Sequence, residues 1–153
     1  AGAASAGSPL GPLVDAAGRG VDASALRGSS VALYFAGAWC PMCTRFTPKL
    51  RAFMESAPAK DKSIVFVSSD FSGEDYDRHR ATMGPDWLAV PFGSEAQGAL
   101  KRSYRVWGGR EAATFGTGRR GGIPALVVVD PETGKELRYL DAESQGAEVL
   151  ADW

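Results

Sequence analysis

The residues whose types and spacing could do chemistry are Cys40 and Cys43, the two cysteines of the chain, with Pro41 and Met42 between them. A disulfide across this gap closes a very short loop, which removes little entropy from the unfolded chain and makes a poor structural cross-link. The pair therefore suits a dithiol that cycles between reduced and oxidised forms. The alternative is two inert core residues, since free cysteines are often buried.

A metal site at these cysteines lacks ligands. Structural zinc takes about four Cys or His ligands, and the sequence contains one histidine, His79. His79 lies in the charged stretch "DYDRHRAT", so we predict that it is a solvated surface residue. A transient copper or zinc ion on Cys40 and Cys43 would need further ligands from another chain. We therefore predict no resident metal.

The segments around the cysteines predict a strand, a turn and a helix. "SSVALYF" is apolar on both faces, which is typical of a central strand covered on both sides. After the turn, apolar residues recur at helical spacing: Phe46, Leu50, Phe53 and Met54. The sequence thus predicts that the dithiol lies where a buried strand passes into a helix.

This placement has chemical consequences for each cysteine. Pro41 suits the first helical position, which requires no backbone N–H. Cys40 then falls at the helix N-cap, where unpaired N–H groups and the helix dipole favour a thiolate. Cys43 lies one turn deeper, where it can attack a mixed disulfide formed on Cys40 and release the product.

The rest of the chain predicts an α/β fold. Two more apolar stretches, "SIVFVSSD" and "IPALVVVD", predict buried strands, and "ELRYLD" predicts a half-polar strand after the turn "PETGK". Helices are predicted in "GEDYDRHRATM", "SEAQGALKRSYRV" and "SQGAEVLADW", and a small hairpin in "LVDAAGRGVD". Strands that alternate with helices indicate a central mixed sheet flanked by helices, with an N-terminal β-hairpin.

Residues 107–122 are rich in glycine and carry Arg110, Arg119 and Arg120. They contain G-x-G-x-x-G in "GTGRRGG", but this motif precedes a strand, whereas a dinucleotide site needs it before a helix. We therefore predict a long mobile loop and no organic cofactor. Because the loop leads into Ile123 and Pro124, we expect its arginines to form a positive patch near the dithiol that steers acidic partners.

Length and composition limit the remaining classes. The 153 residues fit one domain, and we predict a flexible segment over residues 1–13 and a folded domain over residues 14–153. A net charge of −1 argues against binding to nucleic acid or to an anionic membrane surface. No apolar run is long enough to span a membrane, and the start lacks the features of a signal peptide. We expect a cytoplasmic monomer, or an organellar protein that has lost a presequence.

Three segments in order resemble the thioredoxin superfamily, and in particular its tryparedoxin and nucleoredoxin branch. They are "ALYFAGAWCPMCTRFTPKL", which is similar to the branch's strand, "WCPPC" and "FTPxL"; "DWLAVPF", which is similar to "WLALPF"; and "IPALVVVDPETG". The likeness runs from about Val14 to Trp153. It implies a thioredoxin-like fold and a thiol–disulfide oxidoreductase.

The resemblance also implies roles for individual residues. Cys40 would be the attacking thiol and Cys43 the resolving thiol. Pro124 would be a cis-proline facing the dithiol, and Ile123 would offer backbone hydrogen bonds to a partner's extended strand. The remaining substrate-binding residues would be Trp39, which shields the site, Pro41 and Met42 between the cysteines, and Trp87, which with Pro91 shapes the nearby surface. Trp39 and Trp87 could instead be core aromatics.

The sequence departs from the family pattern at several positions. Met42 replaces the second proline of "CPPC", so the family's reduction potential cannot be transferred. Tyr34 stands where thioredoxins carry a buried Asp beneath the dithiol, so proton transfer must differ, through water or another carboxylate. Ser69 stands where tryparedoxins have Trp. The segment of residues 107–122 is longer than the family's usual link.

We predict a protein-disulfide reductase that acts on disulfide proteins of the peroxiredoxin type. Its electrons would come from a low-molecular-weight thiol or a reductase. Two alternatives stay open: a thioredoxin-like binding module without turnover, and an oxidase or isomerase of an oxidising compartment.

Overall fold

The computed structural model describes residues 8–153. Seven strands run over Leu13–Val14 (β1), Gly20–Val21 (β2), Ser30–Ala36 (β3), Lys62–Ser68 (β4), Leu88–Ala89 (β5), Ala125–Val129 (β6) and Glu136–Leu140 (β7). Five α-helices run over Pro41–Met54 (α1), Gly73–Arg80 (α2), Glu95–Tyr104 (α3), Ala112–Phe115 (α4) and Ala142–Gln145 (α5). Short 3₁₀ helices cover Ala23–Leu26, Ala57–Ala59, Gly109–Glu111 and Gly146–Asp152.

The strands form one mixed sheet in the order β2-β1-β5-β4-β3-β6-β7. The central strand β3 pairs in parallel with β4 and antiparallel with β6. Every residue of β3 from Val31 to Ala36 is buried, as expected for a strand covered on both faces. The predicted N-terminal hairpin is present, because β1 pairs antiparallel with β2. This sheet brings the end of β3 beside the end of β4 and the start of β6.

Two predictions about irregular segments are corrected. Residues 1–7 of the predicted flexible segment lie outside the described residues, but Leu10 and Leu13 are fully buried in the core. The packed domain therefore begins before Val14. Residues 107–122 were predicted to be a mobile loop. Instead they contain the 3₁₀ helix Gly109–Glu111 and helix α4, because Trp107 and Glu111 are buried and fasten the segment to the domain.

Within residues 8–153, no helix has both the length and the apolar character needed to cross a bilayer. In the same residues, no group of three or more His, Cys, Asp or Glu side chains is arranged to bind a metal ion.

Candidate active site

Cys40 occupies the N-cap of α1 and Pro41 its first position. The Cys40 sulfur accepts a hydrogen bond from the backbone N–H of Cys43 at 3.2 Å, which is how a capping side chain satisfies an open N–H group of the first turn. Cys40 is 5% exposed and Cys43 fully buried, so the two thiols differ in access as predicted, although Cys40 is itself largely covered. Both thiols are free, which makes this the reduced state.

Cys43 lies in an environment that favours its neutral thiol. Burial raises the pKa of Cys43, and the hydrogen bond with Cys40 raises it further. Tyr34 lies beneath the dithiol, and burial likewise raises its pKa, so it stays protonated. Its hydroxyl is 2.8 Å from the Thr47 hydroxyl, which donates to the carbonyl of Cys43 at 3.1 Å. Tyr34 therefore braces the first turn of α1 and is not a proton acceptor.

Ile123 and Pro124 lie opposite the dithiol. The peptide bond between them is cis, as the resemblance implied. The carbonyl oxygen of Ile123 is 3.8 Å from the Cys40 sulfur, although the two residues are 83 positions apart in sequence. The start of β6 thus supplies backbone directly at the reactive sulfur.

Trp39 covers the side of the site nearest β4. Its indole N–H donates to the carbonyl of Ser69 at 2.8 Å, and its ring stacks on Phe71 with 5.7 Å between centroids. Gly108 allows this packing, because a Cβ on Gly108 would lie 2.7 Å from the Trp39 ring. Trp39 is therefore fixed against Ser69, Phe71 and Gly108, and its role as a shield of the dithiol stays a prediction.

The other predicted site residues separate into two groups. Pro41 and Met42 are exposed beside Cys40, with Met42 41% exposed. Trp87 is buried, and its ring meets Tyr34 edge-on at 6.3 Å between centroids. The prediction that Trp87 shapes the surface at the site is corrected: it packs beneath Tyr34 in the core.

His79 is buried, so its prediction as a solvated surface residue is wrong. Its Nδ1 lies 3.0 Å from an oxygen of Asp70, which is buried too. The other Asp70 oxygen accepts the backbone N–H of Ala38 at 2.7 Å, in the turn that leads to Cys40. The signal that could have found His79 is helical spacing, since α2 buries Tyr76, His79 and Arg80 on one face.

The carboxyl of Asp70 is ionised at neutral pH. Burial by itself would raise its pKa, but hydrogen bonds from His79, the Ala38 backbone and Ser68 outweigh burial and lower it. Because an ionised carboxylate only accepts hydrogen bonds, Nδ1 of His79 carries the hydrogen in this pair. Asp70 is thus a buried carboxylate that contacts the turn before Cys40. It acts on the Cys40 turn through Ala38.

A buried ion pair, Lys101 with Glu111, was also missed. The Lys101 ammonium is 2.6 Å from one carboxylate oxygen of Glu111, and the other oxygen accepts from the Ser69 hydroxyl at 2.6 Å and the Gly108 backbone at 2.8 Å. Burial lowers the pKa of Lys101, whereas Glu111 acts to raise it. No local sequence signal marks this pair, because its members come from α3 and from a glycine-rich segment.

Comparisons with known proteins agree with this geometry. The family model described as Thioredoxin-like matches residues 28–135. Probable nucleoredoxin 1 of Arabidopsis thaliana is 33% identical over 138 residues, covering 85% of this chain and 24% of that protein. Tryparedoxin of Trypanosoma brucei brucei is 33% identical over 115 residues, covering 74% of this chain and 69% of that protein. The structure of tryparedoxin II from Crithidia fasciculata superposes with a TM-score of 0.71 at 27% identity, covering 90% of this chain and 80% of that one.

A strand–turn–helix unit with a capping cysteine and a cis-proline opposite it defines a thioredoxin-like protein, and the chain belongs to the thioredoxin-like family. Its named relatives are nucleoredoxins and tryparedoxins, which are oxidoreductases of this family, so both the predicted fold and the predicted branch are confirmed. The chain spans about a quarter of the curated nucleoredoxins that it matches, 24% and 25% in two of them.

Proposed function

We propose that the protein reduces protein disulfides by dithiol–disulfide exchange through Cys40 and Cys43. The observation that carries this proposal is the asymmetry of the two sulfurs. Cys40 caps α1 beside the Ile123 carbonyl, and Cys43 lies fully buried one turn below with a raised pKa. This arrangement suits one thiol for attack and the other for resolution.

The reaction conserves atoms and electrons over two steps. The Cys40 thiolate attacks one sulfur of the partner's disulfide, which breaks that S–S bond and releases the first partner sulfur as a thiolate that takes up a proton. Cys43 then loses its proton and attacks the Cys40 sulfur, which releases the second partner sulfur. The protein ends as a Cys40–Cys43 disulfide, and the partner gains two electrons as a dithiol.

This chemistry calls for an electron acceptor and an electron donor. Disulfide proteins of the peroxiredoxin type are the proposed electron acceptors. A low-molecular-weight thiol or a reductase would return the protein to its dithiol form. A reducing compartment such as the cytoplasm suits a protein that works as a monomeric reductant.

The test is reduction of insulin disulfides by dithiothreitol, with wild type, Cys40→Ser and Cys43→Ser. We expect acceleration by wild type, none by Cys40→Ser, and covalent capture of insulin chains on Cys40 by Cys43→Ser. A wild type that binds disulfide proteins without accelerating their reduction would show a binding module. A Cys40/Cys43 reduction potential near about −120 mV, where strong oxidants lie, would show an oxidase instead.

A further inference from the structure

The segment of residues 107–122 is fastened beside the active site at Glu111. This carboxylate is 8% exposed and takes hydrogen bonds from Lys101, the Ser69 hydroxyl and the Gly108 backbone. Ser69 also accepts the indole N–H of Trp39. The backbone next to Glu111 is therefore fixed relative to Trp39, the residue that precedes the attacking cysteine.

Arg110, the neighbour of Glu111, lies over the stacked rings of Trp39 and Phe71. Its guanidinium carbon is 5.1 Å from the centroid of Trp39 and 5.6 Å from that of Phe71. A guanidinium at such distances from ring faces is attracted by the negative face of each ring. The rings therefore hold the charge in place while its side chain stays exposed.

The Arg110 charge is uncompensated. Among residues 8–153, Arg110 has no carboxylate within 4.0 Å and no hydrogen-bond acceptor. The other arginines of the segment differ: Arg120 forms two hydrogen bonds with Glu136, at 3.0 and 2.8 Å, and Arg119 donates to the Trp107 carbonyl at 2.9 Å. Of the three arginines expected to form a patch, Arg110 is thus the one that lies over Trp39, while Arg120 is paired with Glu136.

On the Ile123 side of the site, a guanidinium and a carboxylate both lie close to Gly122. Arg119 and Glu143 both approach Gly122, where an added Cβ would lie 2.6 Å from the guanidinium and 2.4 Å from the carboxylate. Asp70 is buried with His79, and Glu111 with Lys101. A partner that approaches Cys40 over Trp39 therefore meets the Arg110 guanidinium, which forms no ion pair with a carboxylate of residues 8–153.

We propose that Arg110 selects polypeptide disulfides that carry a carboxylate close to the reacting cysteine. This inference rests on the proposed reductase function and names the substrate class of the same site. A polypeptide fits for two reasons. The surface around Cys40 exposes apolar side chains, with Met42 41% and Phe71 57% exposed, and the Ile123 backbone lies at the Cys40 sulfur. Arginine pairs readily with a carboxylate because its fork of N–H donors matches two oxygens.

The first arm of the test uses small disulfides of different charge with the reduced protein: glutathione disulfide (negative), hydroxyethyl disulfide (neutral) and cystamine (positive). Arg110→Gln should lower the rate of glutathione disulfide reduction about fivefold and raise the rate of cystamine reduction by a similar factor, as expected for one charge–charge contact in water. The rate of hydroxyethyl disulfide reduction should not change. These differences should vanish in 1 M salt, where screening acts within about 3 Å.

The second arm uses three disulfide-cyclised peptides that differ at one residue beside a cysteine, which is Glu, Gln or Lys. Wild type should reduce the Glu peptide fastest, the Gln peptide more slowly and the Lys peptide slowest. Arg110→Gln should lose this order. The matched control, Arg120→Gln, removes a charge that is already paired with Glu136 and should keep it.

The outcomes separate the two proposals. If wild type reduces none of the three cyclised peptides and does not accelerate insulin reduction, the reductase function itself is wrong. If wild type reacts but reduces the three peptides equally, or if Arg110→Gln and Arg120→Gln change the rates alike, the reductase function stands and the role of Arg110 is wrong.

Discussion

Nδ1 of His79 lies 3.0 Å from a carboxylate oxygen of Asp70, with both side chains buried, and Asp70 in turn binds the backbone of Ala38. The turn that carries Trp39 and Cys40 is thus tied to the end of β4 through a buried charged group. Because the pKa of Asp70 is lowered in the folded protein, this contact contributes stability that depends on pH.

We predict that Asp70→Asn lowers the free energy of unfolding by about 1–3 kcal/mol at neutral pH, since it removes a charged acceptor of buried donors. A lowered carboxyl pKa gives stability that is complete above the ordinary value of 3.8 and is lost as pH falls below it. Urea unfolding between neutral pH and acid should show the two proteins converging at low pH. Asp77→Asn, at an exposed position of α2, the helix that carries His79, is the control. A wild-type advantage that persists unchanged in acid would contradict the assignment.

Alkylation should distinguish the two thiols. In the reduced protein near neutral pH, iodoacetamide should label Cys40 far faster than Cys43, because Cys43 is fully buried and burial raises its pKa. Cys40 and Cys43 lie in one tryptic peptide, residues 28–45, so tandem mass spectrometry that locates the label within this peptide at successive times measures both rates. In Cys40→Ser, Cys43 should stay slow even above neutral pH. Equal labelling, or faster labelling of Cys43, would reverse the roles of the two residues.

The Lys101–Glu111 pair should behave as a coupled buried unit. Lys101→Met leaves the Glu111 carboxylate buried without its cation and should cost about 3–5 kcal/mol of stability. The double variant Lys101→Met/Glu111→Gln should cost clearly less than the two single changes together, because neutral groups replace both charges. Urea unfolding of all four proteins gives the coupling energy. Arg78→Met, from an exposed pair with Glu74, should change stability by less than about 1 kcal/mol, and additive costs at Lys101 and Glu111 would refute the coupling.

Gly108 should be required for the position of Trp39. In Gly108→Ala the new methyl would lie 2.7 Å from one ring carbon of Trp39 and 3.1 Å from Ile123, so the indole must move. We expect the free energy of unfolding to fall by about 1–3 kcal/mol, as at other overpacked sites. We also expect the NMR resonance of the Trp39 indole N–H to shift, because its hydrogen bond to the Ser69 carbonyl is disturbed. Gly118→Ala, which meets no atom within 4 Å, is the control. An unmoved resonance in Gly108→Ala would show that the packing adapts elsewhere.

The parts of the site that the sequence predicted are those set by local chemistry. An apolar run such as β3, a proline at the first position of α1 and a cysteine at its N-cap each carry their own signal, independent of the rest of the chain. Their arrangement followed because a strand that leads through a short turn into a capped helix places the cap residue just beyond the carboxyl end of that strand. The opposite wall, Ile123 and Pro124, came from the family resemblance.

The missed parts depend on long-range contacts. His79 was assigned to the surface from its charged neighbours, yet the face of α2 that holds it packs on Phe66 of β4, with 5.0 Å between ring centroids. The glycines of residues 107–122 indicated a loop, but the segment is ordered by Glu111 and its partners Lys101 and Ser69, which lie 10 and 42 positions away. Trp87 was placed at the site by a motif, whereas burial against Tyr34 decides its position.

Ser69 binds both Trp39, through its carbonyl, and Glu111, through its hydroxyl. For protein engineering, this makes Ser69 and residues 107–122 a single transplantable part. A tryparedoxin-like scaffold, with the Trp that the family resemblance places at this position, would have no hydroxyl to donate a hydrogen bond to Glu111. A graft that moved only residues 107–122 would leave the buried Glu111 carboxylate without the hydrogen bond from Ser69. The backbone next to Arg110 would then be less firmly held. The serine, Lys101 and the segment should therefore be exchanged together.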